Sequence, residues 1–140
     1  MEWYDNYNIN VQHIDDQHKE LVNTITRLQS ALSSENPNDE IRKALVFIVE
    51  YTKYHFSDEE AIMELEGFPE IEMQRKLHKN LINDVTKLLV DLKKGKSINI
   101  LELIDFLTEW FITHITKQDK QFGLFLERKR KKQAASQIKK

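Results

Sequence analysis

Apolar residues recur at alternating spacings of three and four positions in four stretches of the chain, which is the period of one face of an α-helix. Breaks rich in Pro, Gly, Asn or Ser separate these stretches at 36–38, 67–69 and 94–97. Four amphipathic helices with short connections predict an all-α fold, an up-down-up-down four-helix bundle. The third stretch shows the pattern most clearly, with one face formed by Ile71, Gln74, His78, Leu81, Val85, Leu88 and Leu92.

The residues around the breaks also predict where two of the helices begin. Asn38 or Asp39 is placed to cap the second helix, and Ser97 is placed to cap the fourth. The first residues of the chain do not follow the helical period. We therefore expect an N-terminal arm that packs across the bundle as an apolar strap and carries three aromatic side chains, Trp3, Tyr4 and Tyr7.

Formal charge is distributed unevenly along the 140 residues, which are few enough for one domain. Residues 128–140 contain seven of the 21 Lys and Arg residues and no Asp or Glu, which leaves 14 basic against 23 acidic residues in 1–127. We divide the chain into a bundle domain, 1–127, and a basic C-terminal tail, 128–140. The acidic body disfavours nucleic-acid binding. The tail has the charge to contact an anionic partner, but charged chain ends are more often solvated and frayed.

The sequence contains no cysteine, which excludes disulfides, iron–sulfur clusters and thiolate zinc sites. Any metal ion must therefore be bound by His, Asp and Glu side chains. No apolar run reaches the length of a membrane span, and the first residues lack the charged and apolar regions of a signal peptide. We therefore expect a cytoplasmic protein.

One histidine interrupts the apolar face of each predicted helix. A single histidine in such a position is more often a core residue than a metal ligand. Four that point into the same bundle interior favour a shared partner, because each unpaired buried imidazole costs about 1–3 kcal/mol. A metal ion is the simplest partner for the four residues, which are His18, His55, His78 and His114.

Two carboxylates accompany these histidines. Glu59 follows His55 by four positions, which places both on one helix face. Asp119 follows His114 by five positions, a spacing that turns it away from the His114 line toward the side of Ile115. Imidazoles with carboxylates suit iron, manganese or zinc. The Glu-x-x-His pairs of ferritin-like bundles and the His-Glu-x-x-His motif of zinc proteases are both absent.

Several segments together resemble the hemerythrin family, and bacterial hemerythrins in particular. They are IDDQHK at 14–19, HFSDEE at 55–60 and WFITHI at 110–115, and the resemblance extends from Trp3 to about Phe122. Met63, the Phe68-Pro69 pair, His78 and Asp119 complete the match. Any one of these features alone would be weak, but their combination is specific.

The resemblance implies a non-haem di-iron centre with a bridging oxo or hydroxo group, in which Glu59 and Asp119 bridge the two irons. It implies that His18 and His55 bind the iron that keeps an open position for dioxygen. It also implies that His78 and His114 bind the other iron. Three apolar side chains are candidates for the lining of the ligand pocket, although plain core packing explains each equally well: Phe56, Phe111 and Ile115.

One position departs from the family pattern. Gln74 stands where the family usually has a seventh ligand, a histidine four residues before His78. Because the other six ligands are present, the resemblance implies reversible dioxygen binding for storage, delivery or sensing. Two alternatives stay open: a di-iron oxidase, peroxidase or nitric oxide-handling enzyme that uses the position at Gln74, and an interaction protein with a decayed site. The fifth histidine, His13, is predicted to lie exposed near a helix start and outside the site.

Overall fold

The computed structural model describes residues 2–138, which form helices and, in this range, no strand. A short 3-10 turn, Asp5–Tyr7, precedes the bundle, and the last helical rod is continuous through a π-helical turn. The all-α four-helix bundle is confirmed. No helix in this range is both long enough and apolar enough to cross a bilayer. The elements are α1 (Gln12–Ala31), α2 (Pro37–Glu66), α3 (Ile71–Lys93), α4 (Ile100–Thr113), the π turn (His114–Asp119) and α5 (Lys120–Ile138).

The helix ends differ from two of the predicted caps. Helix α2 starts earlier than expected, with Asn36 as the N-cap and Pro37 in the first turn, where its missing N–H is not needed. Helix α4 is capped by Asn99, whose Oδ1 accepts a hydrogen bond from the Glu102 N–H at 3.2 Å. The predictions of Asn38 or Asp39 and of Ser97 were therefore wrong. Both were based on residue type, whereas the local backbone path selects the cap.

The interior is built in three layers along the bundle axis. A large apolar cluster fills the end that contains Leu28, Leu45 and Leu107. A smaller apolar cluster at the other end includes Ile14, Met63 and Phe122. The four buried histidines lie between these clusters in the chain order of the helices, together with Glu59, Gln74 and Asp119. Water that enters from either end must therefore cross apolar side chains to reach this polar layer.

The N-terminal arm packs across the bundle, as expected. The Lys120 ammonium donates to the Asn8 carbonyl at 2.9 Å, and the Ile9 N–H donates to Asp15 Oδ1 at 2.8 Å. The arm lies so close to α5 at Gly123 that a β-carbon there would collide with the Ile9 carbonyl. Glycine is needed at this position because it permits the close approach.

The basic tail is helical as far as the structure describes it. Helix α5 continues to Ile138, so residues 128–138 are helical. Lys129 contacts both the carbonyl of Glu66, at 3.0 Å, and its carboxylate, at 2.9 Å. The last two residues of the predicted tail, 139 and 140, lie outside the described range. The boundary between 127 and 128 stays a prediction.

Candidate metal centre

The buried polar layer contains all the predicted ligands. Helix α1 contributes His18, α2 contributes His55 and Glu59, and α3 contributes His78. The π turn contributes His114 and Asp119 at its two ends. All six side chains, together with Gln74, are almost fully buried. Ligand candidates from four helical rods therefore meet at one place inside the bundle.

These residues form two overlapping clusters, each with ligand atoms that lie within 4.8 Å of one another. One cluster adds His18 and His55 to the two carboxylates, and we call it the first half. The other adds His78 and His114 to the same carboxylates, and we call it the second half. The shared carboxylates, Glu59 and Asp119, lie between two pairs of imidazoles. This is the arrangement required for two adjacent cations bridged by two acids.

Glu59 directs one oxygen to each half. Its Oε2 lies 3.3 Å from His55 Nε2 and 3.4 Å from His18 Nε2. Its Oε1 lies 3.2 Å from His78 Nε2 and 3.9 Å from His114 Nε2. The expected helical spacing of four between His55 and Glu59 accounts for the first contact, and the packing of α2 between its neighbours accounts for the others.

Asp119 also divides its oxygens between the halves, and the π turn makes this possible. Asp119 Oδ2 lies 3.0 Å from His18 Nε2, and Oδ1 lies 3.2 Å from His114 Nε2. In a regular α-helix, residues five apart differ by about 140° around the axis. The wider π turn returns the fifth residue to the same face. Asp119 and His114 therefore both face the buried polar layer.

Burial and charge act in opposite directions on the ionisable groups of this layer. Burial lowers the pKa of His18, but the carboxylates of Asp119 and Glu59 outweigh it and raise that pKa to about 9. The same carboxylates outweigh burial at His114 and raise its pKa to about 10. Burial raises the pKa of Glu59, but the surrounding imidazoles hold it well below its usual value. At His55 burial dominates and lowers the pKa.

Several atoms at the centre of the layer make no hydrogen bond of acceptable geometry among the described residues, although some lie as close as 3.0 Å to another polar atom. They include both nitrogens of His18, both carboxylate oxygens of Glu59, and Asp119 Oδ2. Buried polar atoms are rarely left unpaired, because each costs about 1–3 kcal/mol. Unpaired nitrogen and oxygen atoms that converge without a thiolate suit a cation such as iron, manganese or zinc. The residues present therefore fit a metal pair.

The outer nitrogens of two imidazoles are held by residues that the sequence analysis did not identify as part of the site. His55 Nδ1 donates to Gln17 Oε1 at 2.7 Å, and His78 Nδ1 donates to Glu60 Oε2 at 2.9 Å. Such contacts select the ring orientation and leave Nε2 free for a metal. Gln17 precedes His18 and Glu60 follows Glu59 in the sequence. A polar residue adjacent to a predicted ligand could therefore have identified both supporting residues.

Among residues 2–138, aromatic rings stack in parallel on the imidazoles of the second half and on neither imidazole of the first. Phe56 stacks on His78 with centroids 3.8 Å apart and an interplanar angle of 2°. Trp110 stacks on His114 at 4.5 Å and 14°. A surface pocket of about 300 Å³ reaches His114 beside Trp110. Two other predicted lining residues, Phe111 and Ile115, are buried in the large apolar cluster, and their role in a ligand pocket stays a prediction.

Gln74 lies in the layer at the position where the family pattern expects a histidine. Its Nε2 donates to Asp119 Oδ1 at 3.1 Å, while its Oε1 is buried without a partner among residues 2–138. His13 lies outside the layer, as predicted. Its side chain is 59% exposed and contacts Asp58 on α2.

The fold and this layer define a class of protein, the four-helix bundles in which two clusters of imidazoles share the same two carboxylates. The model of the hemerythrin HHE cation binding domain matches residues 10–125. The chain is 32% identical over 117 residues to a bacteriohemerythrin of Pseudomonas aeruginosa, covering 84% of this chain and 75% of that protein. It is 27% identical over 117 residues to a bacteriohemerythrin of Methylococcus capsulatus, covering 84% and 88%. The chain belongs to the hemerythrin family.

A solved structure agrees with this assignment. The crystal structure of wild-type hemerythrin superposes with a TM-score of 0.82 at 27% identity and covers 88% of this chain and 95% of that one. The match therefore covers most of the bundle.

Proposed function

We propose that this chain binds two non-haem irons joined by an oxo or hydroxo bridge. His18 and His55 hold one iron, and His78 and His114 hold the other. Glu59 and Asp119 hold both, because each carboxylate has one oxygen facing each pair of imidazoles. That division of the oxygens is the observation that supports a pair of ions over a single ion. Membership of a family whose domain is described as cation binding supports the same proposal.

We further propose that the centre binds dioxygen reversibly, for storage, delivery or sensing. When bound, the iron pair supplies the electrons that a dioxygen ligand needs. The resemblance to the family favours the first half as the one with the open position, and apolar clusters above and below the centre limit the entry of water. The exclusion of water protects an oxygenated state from irreversible oxidation.

The test combines metal content with optical spectra of the iron-loaded, reduced protein. We expect about two irons per chain, and a visible charge-transfer band that forms with oxygen, bleaches under vacuum and returns. Immediate irreversible oxidation on the first exposure would exclude a carrier. Absence of bound iron after expression in iron-replete medium would support the alternative of an interaction protein with a decayed site.

A di-iron oxidase, peroxidase or nitric oxide-handling enzyme is the second candidate function. Its support is Gln74, which places an unpaired amide oxygen where an imidazole is expected and leaves the second half with two histidines. Turnover with peroxide or nitric oxide should fall in Gln74→His, which restores the seventh ligand. Equal turnover in this variant and the unmodified protein would remove the argument.

The cytoplasmic location and an anionic partner for the tail stay predictions.

A further inference from the structure

A row of hydrogen bonds connects solvent with one side chain of the first half. His13, on the outside of α1, donates to Asp58 Oδ2 on α2. Gln17 Nε2 donates to the same Asp58 oxygen at 3.0 Å, and Gln17 Oε1 accepts from His55 Nδ1 at 2.7 Å. Exposure falls along this row, from 59% at the His13 side chain and 34% at Asp58 to 1% at His55.

The amide of Gln17 is the part of this row that has two possible orientations. An amide group has a donor end and an acceptor end, and the two ends have nearly the same shape. A carboxylate only accepts, so Asp58 holds the NH₂ end of Gln17 and turns the carbonyl end toward His55. The carbonyl then selects the form of His55 with its proton on Nδ1, and Nε2 remains free toward Glu59.

We propose that Asp58, Gln17 and His13 are positioning residues that fix the orientation of His55 from the protein surface. The proposal rests on the proposed metal site, because His55 must keep Nε2 unprotonated in order to bind a metal ion. The amide is set by Asp58, and the orientation of the Asp58 carboxylate is set in turn by the His13 ring. The second half has a different row among the described residues: the exposed Arg75 lies 3.5 Å from Glu60, and the Glu60 carboxylate contacts His78 directly, with no amide between them.

Asp58→Asn tests the first link. The new side chain keeps its shape but also has a donor end, so the Gln17 amide is no longer held in one orientation. Long-range ¹H–¹⁵N NMR spectra of the metal-free chain report which His55 nitrogen carries a proton. We expect a slowly exchanging Nδ1 proton in the unmodified protein and its loss in Asp58→Asn. Zinc binding to the first half, measured against a chelator, should weaken about tenfold, as is typical for an outer contact.

The double variant Gln17→Glu with Asp58→Asn reverses the donor and the acceptor in this link. The glutamate at position 17 can only accept, so it accepts from His55 and from the amide introduced at position 58. We expect the Nδ1 proton signal and the zinc affinity to return. A side chain that merely fills space would not be rescued by a second substitution. Failure of the double variant to restore the signal would overturn the proposal.

His13→Ala tests the outermost link. Because this contact is exposed, we expect a loss of zinc affinity of no more than about fivefold. His13→Gln, which keeps a donor, should lose less. Asp39→Asn is the matched control, since Asp39 is an exposed carboxylate on α2 that pairs only with Arg42 and Lys43 among the described residues. An Asp39→Asn effect as large as that of Asp58→Asn would also overturn the proposal.

These measurements are independent of the proposed function. Zinc and the metal-free chain carry no oxygen chemistry, so a protein that fails to bind dioxygen can still show the His55 signal and its rescue. Conversely, a chain that binds dioxygen but keeps its Nδ1 proton in Asp58→Asn would contradict the positioning role alone.

Discussion

The two halves of the candidate centre have the same number of imidazoles and share their carboxylates, but the protein supports them differently. In the first half, His55 is held by the neutral amide of Gln17, and His18 Nδ1 has no partner among the described residues. In the second half, His78 is held by the Glu60 carboxylate and stacked by Phe56. Polar side chains link both halves to solvent, but a neutral amide holds His55, whereas a carboxylate paired with Arg75 holds His78.

Because of this difference, the metal affinity of each half depends on how strongly each ligand binds as well as on how many ligands there are. A carboxylate that accepts from the outer nitrogen makes an imidazole a stronger metal ligand than a neutral amide does. Stacking also restricts the rings of His78 and His114 before any metal binds. We therefore expect the second half to hold its metal more tightly, although Gln74 replaces one of its expected ligands. The first half should exchange its metal more readily.

Removing a shared carboxylate should weaken metal binding in both halves together, and this is the largest effect we expect. In Glu59→Gln both halves lose an anionic ligand, so both metals should bind more weakly by more than the roughly 10–100-fold loss of an outer contact. Metal content after dialysis should fall from about two per chain toward zero. Glu50→Gln, an exposed change on the same helix, is the control. Retention of one tightly bound metal would show that the halves do not depend on Glu59 together.

Glu60→Gln should make the metal affinities of the two halves more similar. An amide in place of the carboxylate weakens the His78 ligand, so the affinity of the second half should fall by about 10–100-fold while the first half is unchanged. Stepwise zinc titration against a chelator resolves the two events. If both halves weaken equally, the assignment of Glu60 to the second half is wrong.

Proton competition should distinguish the halves at high pH. The histidines with raised pKa, about 9 for His18 and about 10 for His114, must lose a proton before a metal can bind. Apparent affinity should therefore rise about tenfold per pH unit for each half as protons leave. The rise should stop near pH 9 in the first half and near pH 10 in the second. A pH-independent affinity between pH 6 and 8 would contradict the protonated state of both residues.

Trp110→Leu should produce the smallest change. Loss of the stacked ring frees His114, and such contacts contribute about 0.5–1.5 kcal/mol, which corresponds to about two- to tenfold in affinity. We expect this loss in the second half only, measured as faster release of zinc to a chelator. Tyr54→Leu, which removes an exposed aromatic ring of α2, is the control.

Much of this site could be predicted because helix geometry is local. The alternating spacing of three and four positions placed His18, His55, His78 and His114 on apolar faces before any packing was known. The same rule placed Glu59 beside His55. Residues on one face of a regular helix keep their relation whatever the rest of the chain does. The structure accordingly places all five side chains in the buried polar layer, and their role as metal ligands stays a prediction.

Tertiary structure decided the features that join different helices or interrupt a regular one. The π turn keeps Asp119 near the face of His114, whereas residues five apart in a regular α-helix differ by about 140° around the axis. The contact of Gln17 with His55 links α1 to α2, and that of Glu60 with His78 links α2 to α3. Sequence periodicity describes each helix separately, whereas the rotation and height of neighbouring helices are set only when the apolar clusters pack.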